Sequence, residues 1–274
     1  MKREKSKQAL LYLFLFIGVS VMIAPFLWML LSSFKTNAEI MRVPFTIFPE
    51  HFKFSNYAKV WTEVQFSVYF KNSVLVAVTR TALVLYFSAL AGYVLGKLQF
   101  RGRNVIFILI LATMMVPWPV TIVPQYQLMV WLGWKGSYLS LIVPAMFSSF
   151  GIFMMRQFVS HVPTELLEAA RIDGAGEFRI FHRLVLPLVS NSLSALAIII
   201  FLWTWDDFLW PYLMIDDQSQ YLLPIGLAFF SGQFKTSYDL LYTGATISVI
   251  PVLILYILFQ KRFIEGITMS GIKG

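Results

Sequence analysis

Residues 163–187 read PTELLEAARIDGAGEFRIFHRLVLP, a polar knot in an otherwise oily chain. Four carboxylates lie within it: Glu165, Glu168, Asp173 and Glu177. Pro163 suits a first helical position, where its missing N–H would have no partner anyway, and Glu165 in the first turn complements the positive end of the helix dipole. The pattern predicts a short helix starting at Pro163. Leu166, Leu167, Ala169, Ala170 and Ile172 would form its apolar side, and Gly174 can take the left-handed conformation that ends a helix. A second helix is expected from Glu177, carrying Arg179 and Arg183 towards Pro187. The stretch reads as a helix-turn-helix knuckle held between two membrane spans.

The rest of the chain sets that context. Of 274 residues, 58% are hydrophobic and 13% charged, and the mean hydropathy is +0.71. That is too apolar for a soluble domain of this length and places the chain in a bilayer. Cysteine is absent, which removes disulfides, a thiol nucleophile and Cys-ligated metal. His51, His161 and His182 stand far apart without ligand spacing, so they read as polar loop residues and no metal site is expected. A net charge of +8 raises nucleic-acid binding, but that needs a basic face on a folded surface.

The positions of the charges decide the point. Lys2, Arg3, Lys5 and Lys7 fall in residues 1–8, and residues 9–34 then run without a charge. This run is longer than a signal-peptide core and long enough for a hydrocarbon layer of about 30 Å, so it reads as an uncleaved first span. Residues 35–71 form a polar and aromatic loop with Pro44 and Pro49. Further spans are expected at 72–96, 104–131, 138–155, 184–205 and 240–260, six in all, which defines an all-α integral membrane protein. A core domain of residues 72–263 then contains the polar loop 156–187, and residues 264–274 form a tail. With six spans both termini share a side with the knuckle. The segments on that side hold fourteen Lys and Arg, and the opposite loops, with Lys35, Arg42, Lys53, Lys59, Lys71, Lys135 and Lys235, hold seven. The excess places both termini and the knuckle in the cytoplasm. The basic charge is a topology signal, and no nucleic-acid partner is expected.

Pro25, Pro117, Pro119, Pro124, Pro144 and Pro251 fall inside the spans. Each removes a helical hydrogen bond, which is tolerable where neighbours or a wet cavity satisfy the backbone again. The cluster Met114 to Pro124 is either a broken helix beside a pathway or an ordinary kinked packing helix. No internal repeat stands out.

No G-x-x-x-x-G-K-[ST] loop is present, so a chain that uses ATP must do so through another subunit. Glu168, Ala169, Ala170, then Gly174, Leu186 and Pro187 resemble the EAA loop of ABC-importer permeases, EAA-x3-G-x9-I-x-LP, with Leu184 in place of its Ile. The likeness extends to KTNAEI and NY within Lys35–Tyr57, to RGR at 101–103, GIFMMRQF at 151–158, WDDFLWP at 205–211 and GITMSGIKG at 266–274. It is similar to the carbohydrate-importer permeases of the maltose-transporter type. That resemblance implies a type I, MetI-like fold and a bacterial cytoplasmic membrane. It also implies a second homologous permease, two ATP-binding cassette subunits carrying ATP and Mg, and an extracytoplasmic sugar-binding protein. No cofactor is expected on this chain, nor any catalytic residue, since neither H-E-x-x-H nor G-x-S-x-G occurs. Glu168, Ala169, Ala170, Asp173 and Gly174 would couple to the ATPase. The knuckle's own chemistry fits either that docking, with small residues seating closely and carboxylates meeting a partner's Arg or Lys, or a solvated connector.

Trp203, Asp206, Asp207 and Trp210 stand at i, i+3, i+4 and i+7 near the outer end of the fifth span. One helical face would then carry rings that stack on sugars and carboxylates that accept their hydroxyls. The alternative is an interfacial Trp belt with acids touching water. Arg80 lies about 12 Å below Asn72 at the helical rise, and a charge at that depth needs a partner or a cavity. Asp206 or Asp207 at comparable depth would supply an ion pair, unless Arg80 snorkels. A rival function is a proton-coupled secondary transporter with the two aspartates as its relay.

Overall fold

The computed structural model describes residues 2–63, 65–230 and 236–268. Among them every regular element is a helix, as expected of a chain whose backbone must satisfy its own hydrogen bonds in hydrocarbon. In chain order these are α1 (Lys2–Ser32), α2 (Asn37–Ile40), α3 (Ser55–Glu63), α4 (Phe66–Lys97), α5 (Arg103–Met114), α6 (Trp118–Trp131), α7 (Leu139–Ile142) and α8 (Ser149–Ser160). There follow α9 (Thr164–Ile172), α10 (Glu177–Ile180), a π-helical turn (Phe181–Val185) and α11 (Leu186–Leu188). The last are α12 (Ser190–Trp205), α13 (Leu209–Met214), a 3-10 turn (Gln218–Gln220), α14 (Leu223–Ala228) and α15 (Tyr238–Thr268). Lys235 and most of the closing GITMSGIKG stretch, residues 269–274, lie outside the described residues.

Leu10–Ser32, Phe66–Lys97 and Tyr238–Lys261 are each long and apolar enough to cross a membrane unaided. Two further candidates are bent pairs. α5 and α6 meet at 102°, and the segment Glu177–Leu188 meets α12 at 78°. The Met114–Pro124 cluster is therefore a broken helix: Pro117 is extended at ψ 131 and caps α6, and Pro119 follows in its first turn. The expected span at 138–155 is also not one helix. α7 lasts four residues, and α8 starts afresh at Ser149 with the Ser148 hydroxyl accepting from the Gly151 amide at 3.1 Å. Pro144 lacks the N–H needed to carry the first segment onward, and the Ser148 cap then fixes the new start. The loop expected at 35–71 is partly helical too, because α2 and α3 lie in it and α4 begins at Phe66.

The chain forms two bodies, Met1–Val68 with Ile225–Ile250, and Tyr69–Pro224 with the residues from Pro251. In the first, side chains take up backbone carbonyls just beyond the end of α1. Asn56 Nδ2 donates to the Ser33 and Lys35 carbonyls, both at 2.9 Å, and Thr243 Oγ1 donates to Ser33 O at 3.0 Å.

In the second body α4 and α8 touch through their backbones. Ser88, Gly92 and Gly96 recur every four residues on α4, the small-residue spacing that lets membrane helices approach closely. A Cβ added at Gly92 would stand 2.8 Å from the backbone carbon of Met155. Arg156 on α8 reaches back to the Leu95 carbonyl at 3.0 Å and lies 3.7 Å over the Phe107 ring. Val84, Ala89 and Tyr93 of α4 pack there with Met155, Val159, Leu167, Phe181 and Val185 in one buried cluster. The knuckle is thereby seated on the α4–α8 pair.

Candidate functional site

The knuckle forms from local signals. Thr164 is the first helical residue and Pro163, at φ −58 and ψ 129, is its cap. The helix starts one position later than expected because the proline's extended ψ leaves it outside the first turn. α9 stops at Gly174, whose φ is +80. The Gly174 amide donates to Arg171 O at 3.0 Å and the Ala175 amide to Ala170 O at 2.9 Å, the paired bonds of a Schellman stop.

The single apolar side expected for α9 is in fact two stripes. Leu167 is fully buried and Ala170 half-buried against the core, whereas Leu166, Ala169 and Ile172 face outward. The cause is the spacing: residues 166, 169 and 172 fall on one line of the helix, and 167 and 170 on the adjacent line. Glu168, Asp173 and Gly174 are exposed beside the outer stripe.

Two anchors fix the knuckle to α4. Arg171 Nε lies 2.7 Å from Glu177 Oε1, and the Tyr93 hydroxyl donates to Glu177. The Arg171 guanidinium, helped by Tyr93, holds the Glu177 carboxyl below its usual range. The Lys97 ammonium donates to Ser160 O at 3.1 Å, to Val162 O at 2.5 Å and to Thr164 Oγ1 at 3.4 Å, bridging the end of α8 and the start of α9.

The second feature is a cavity of about 650 Å³. Trp203, Asp206, Asp207 and Trp210 all line it, but not as one helical face. α12 ends at Trp205, Asp206 caps it, and α13 resumes at Leu209. Pro211 explains the break, since it cannot donate to the Asp207 carbonyl four residues earlier. Trp210 is buried, with Nε1 donating to Ser140 O at 3.0 Å and its ring 6.3 Å from that of Trp118. Trp203 is exposed and packs on Phe150 at 5.3 Å.

Arg80 Nη1 lies 3.3 Å from Asp207 Oδ2, with about a fifth of each side chain exposed, 21% and 23%. Asp207 also accepts from the Trp210 amide. Asp206 is exposed in the same cavity. Ser140, Trp118 and Gln125 complete its polar and aromatic lining. These three were not singled out from the sequence, although an uncharged polar side chain such as Gln125 amid a proline-broken apolar run was the available signal. Among the described residues no group of three or more His, Cys, Asp or Glu side chains is placed to hold a metal ion.

The sequence profile described as "Binding-protein-dependent transport system inner membrane component" matches residues 88–268, which include the knuckle and the whole of α12 and α13. The chain belongs to this family. As a binding-protein-dependent transport permease it is 37% identical over 257 residues to the arabinooligosaccharides transport system permease protein AraQ of Halalkalibacterium halodurans, covering 93% of this chain and 92% of that one. It is 34% identical over 257 residues to the diacetylchitobiose uptake system permease protein NgcG of Streptomyces coelicolor, covering 92% and 85%. A crystal structure of a bacterial ABC transporter that imports the acidic polysaccharide alginate contains a chain of the same fold. The TM-score is 0.84 at 21% identity, over 96% of this permease and 98% of that chain. The permease is a multi-pass membrane protein, with its cavity and knuckle both built around α4.

Proposed function

We propose that this chain is one permease subunit of an ATP-driven, binding-protein-dependent importer of oligosaccharides. The observation that carries the reading is the likeness, across more than nine-tenths of the chain, to permease proteins of oligosaccharide uptake systems. In this reading a second permease completes the pathway, two cassette subunits hold ATP and Mg, and an extracytoplasmic protein delivers the sugar. The knuckle, with Glu168, Ala169, Ala170, Asp173 and Gly174, seats in the ATPase. The Lys and Arg asymmetry supports a cytoplasmic knuckle and cytoplasmic termini in the bacterial cell membrane.

The geometry supports a mechanical role for α4. Tyr93 and Lys97 hold the knuckle at one end of the helix, and Arg80 faces the cavity thirteen residues earlier, about 20 Å away. Closure of the ATPase pair pulls on the knuckle and so on the rod that carries Arg80. The cavity's rings and its exposed Asp206 suit a neutral, hydroxyl-rich solute. Asp207, one of the two acids that a proton relay would need, is engaged by Arg80.

Proteoliposomes carrying the full assembly should take up sugar only with ATP, the ATPase and the binding protein, and vanadate should stop uptake. Uptake by the permease alone, abolished by an uncoupler, would overturn the reading. Within the same assay Gly174→Val tests the knuckle. A Cβ there meets nothing within 4 Å, so the cost is backbone strain of about 1–2 kcal/mol. Strain of that size at the docking loop is expected to cut uptake on the order of tenfold while the protein level in the membrane is unchanged. Gly174→Asn should retain most activity, because Asn tolerates the left-handed region. Equal activity of Gly174→Val and the parent would remove the knuckle from the mechanism.

A further inference from the structure

We propose that residues 41–54 form an interfacial anchor, seated in the lipid headgroup layer at the end of α1. The segment is apolar where it should be polar if it stood in water. Val43 is 92% exposed, Phe45 67%, Phe48 70% and Phe54 68%. Large apolar side chains exposed together in one short segment need a cover.

Its position says which cover. The ring of Phe45 lies 5.5 Å from that of Trp28 in an edge contact. Trp28 is four residues inside the end of α1 at Ser32, about 6 Å down the span at the helical rise. The chain therefore leaves α1 and doubles back along it to membrane depth. None of the apolar window of that span, Leu10–Ser32, is buried within the chain, so the aromatic surface continues a lipid-facing one. Trp28 near the boundary of the span matches the aromatic belts of membrane proteins, and Phe side chains beside it are of the kind that bury at the headgroup boundary.

The doubled-back segment is fixed in place. The Lys53 amide donates to Phe34 O at 2.9 Å, closing the loop onto the helix end. Lys35, 1% exposed, donates its ammonium to Thr46 O and stands 4.8 Å over the Trp28 ring. Phe34 packs against Phe54 at 5.2 Å. Beside the rings Arg42 and Glu50 offset each other, with Arg42 Nη1 2.6 Å from Glu50 Oε1, and the exposed Lys53 suits the anionic phosphates of the headgroup layer. A soluble partner would require the face to stand in water, which the depth of Phe45 opposes. The anchor holds the loop at a set height whatever docks above it.

The chain has no cysteine, so Val43→Cys and Phe48→Cys each give it a single spin-labelling site at a strongly exposed side chain, with any cysteine of the partner subunits replaced by serine. In the assembled transporter in phospholipid liposomes, both labels should collide with oxygen more often than with a water-soluble nickel chelate. Addition of the substrate-binding protein should not shift that ratio. Nickel collisions exceeding oxygen would put the segment in water and overturn the anchor. Low collision rates with both reagents would assign the face to a partner permease, and a shift on adding the binding protein would assign it to that protein; either result overturns the anchor as well.

Discussion

Gly92→Val is expected to prevent the permease from folding to a stable form. The added Cβ alone would stand 2.8 Å from the Met155 backbone carbon and 2.9 Å from the Arg156 nitrogen. Backbone on a facing helix cannot swing aside as a side-chain tip can. Overpacking of a filled core typically costs about 1–3 kcal/mol, and here the cost should lie at the upper end or beyond, because the two helices must separate. Gly96→Ala is the control, since its Cβ would meet Val159 Cγ1 at 3.5 Å, an ordinary contact. Thermal melts followed by size-exclusion chromatography in detergent should show Gly92→Val aggregated or strongly shifted and Gly96→Ala close to the parent. Equal melting of the two would show that α4 and α8 do not approach as described.

The second large effect concerns Arg80 and Asp207. Removing one member of a fully buried pair costs about 3–5 kcal/mol because the other charge is left uncompensated. These side chains keep about a fifth of their surface open, so water recovers part of that, and a cost of roughly 2 kcal/mol is expected. Arg80→Ala and Asp207→Ala should each reduce uptake, and the double alanine variant should lose less than the two single losses combined. Arg80→Asp with Asp207→Arg should restore part of the uptake that either change removes. Asp206→Asn, at a carboxylate in no ion pair among the described residues, should leave stability near the parent's. A charge swap that recovers nothing, with additive alanine losses, would exclude the pairing.

How far the sequence showed this arrangement depended on whether the signal was local. The stop at Gly174 was legible because a left-handed C-cap depends on one residue and its two neighbouring bonds. Arg80 could be matched from depth to the Asp206–Asp207 pair, since 1.5 Å per residue converts position into height. Depth did not choose between two adjacent aspartates; the structure pairs Arg80 with Asp207. The breaks in the spans were not legible in the same way. Proline shows which hydrogen bond is missing, but not whether the chain bends, as at Pro117, or loses its helix for six residues, as around Pro144. The spacing of Trp203, Asp206, Asp207 and Trp210 presumed an unbroken helix. Pro211, four residues past Asp207, was the sign that it ends. The burial of Lys35 was hidden entirely, because a lysine after a span reads as a solvated flank and its cover comes from Thr46 and Trp28.

The outer stripe of α9 carries a cost of its own. Leu166, Ile172 and, beyond the turn, Phe178 are 47%, 86% and 68% exposed, held outward by a rigid Schellman stop and the Arg171–Glu177 clamp. In the proposed assembly, a subunit synthesised in excess of the ATPase would display these greasy side chains with nothing to cover them. Quality-control proteases and chaperones select such surfaces, so in that assembly supernumerary copies would be cleared and the stoichiometry enforced by residues that lie beside the docking loop.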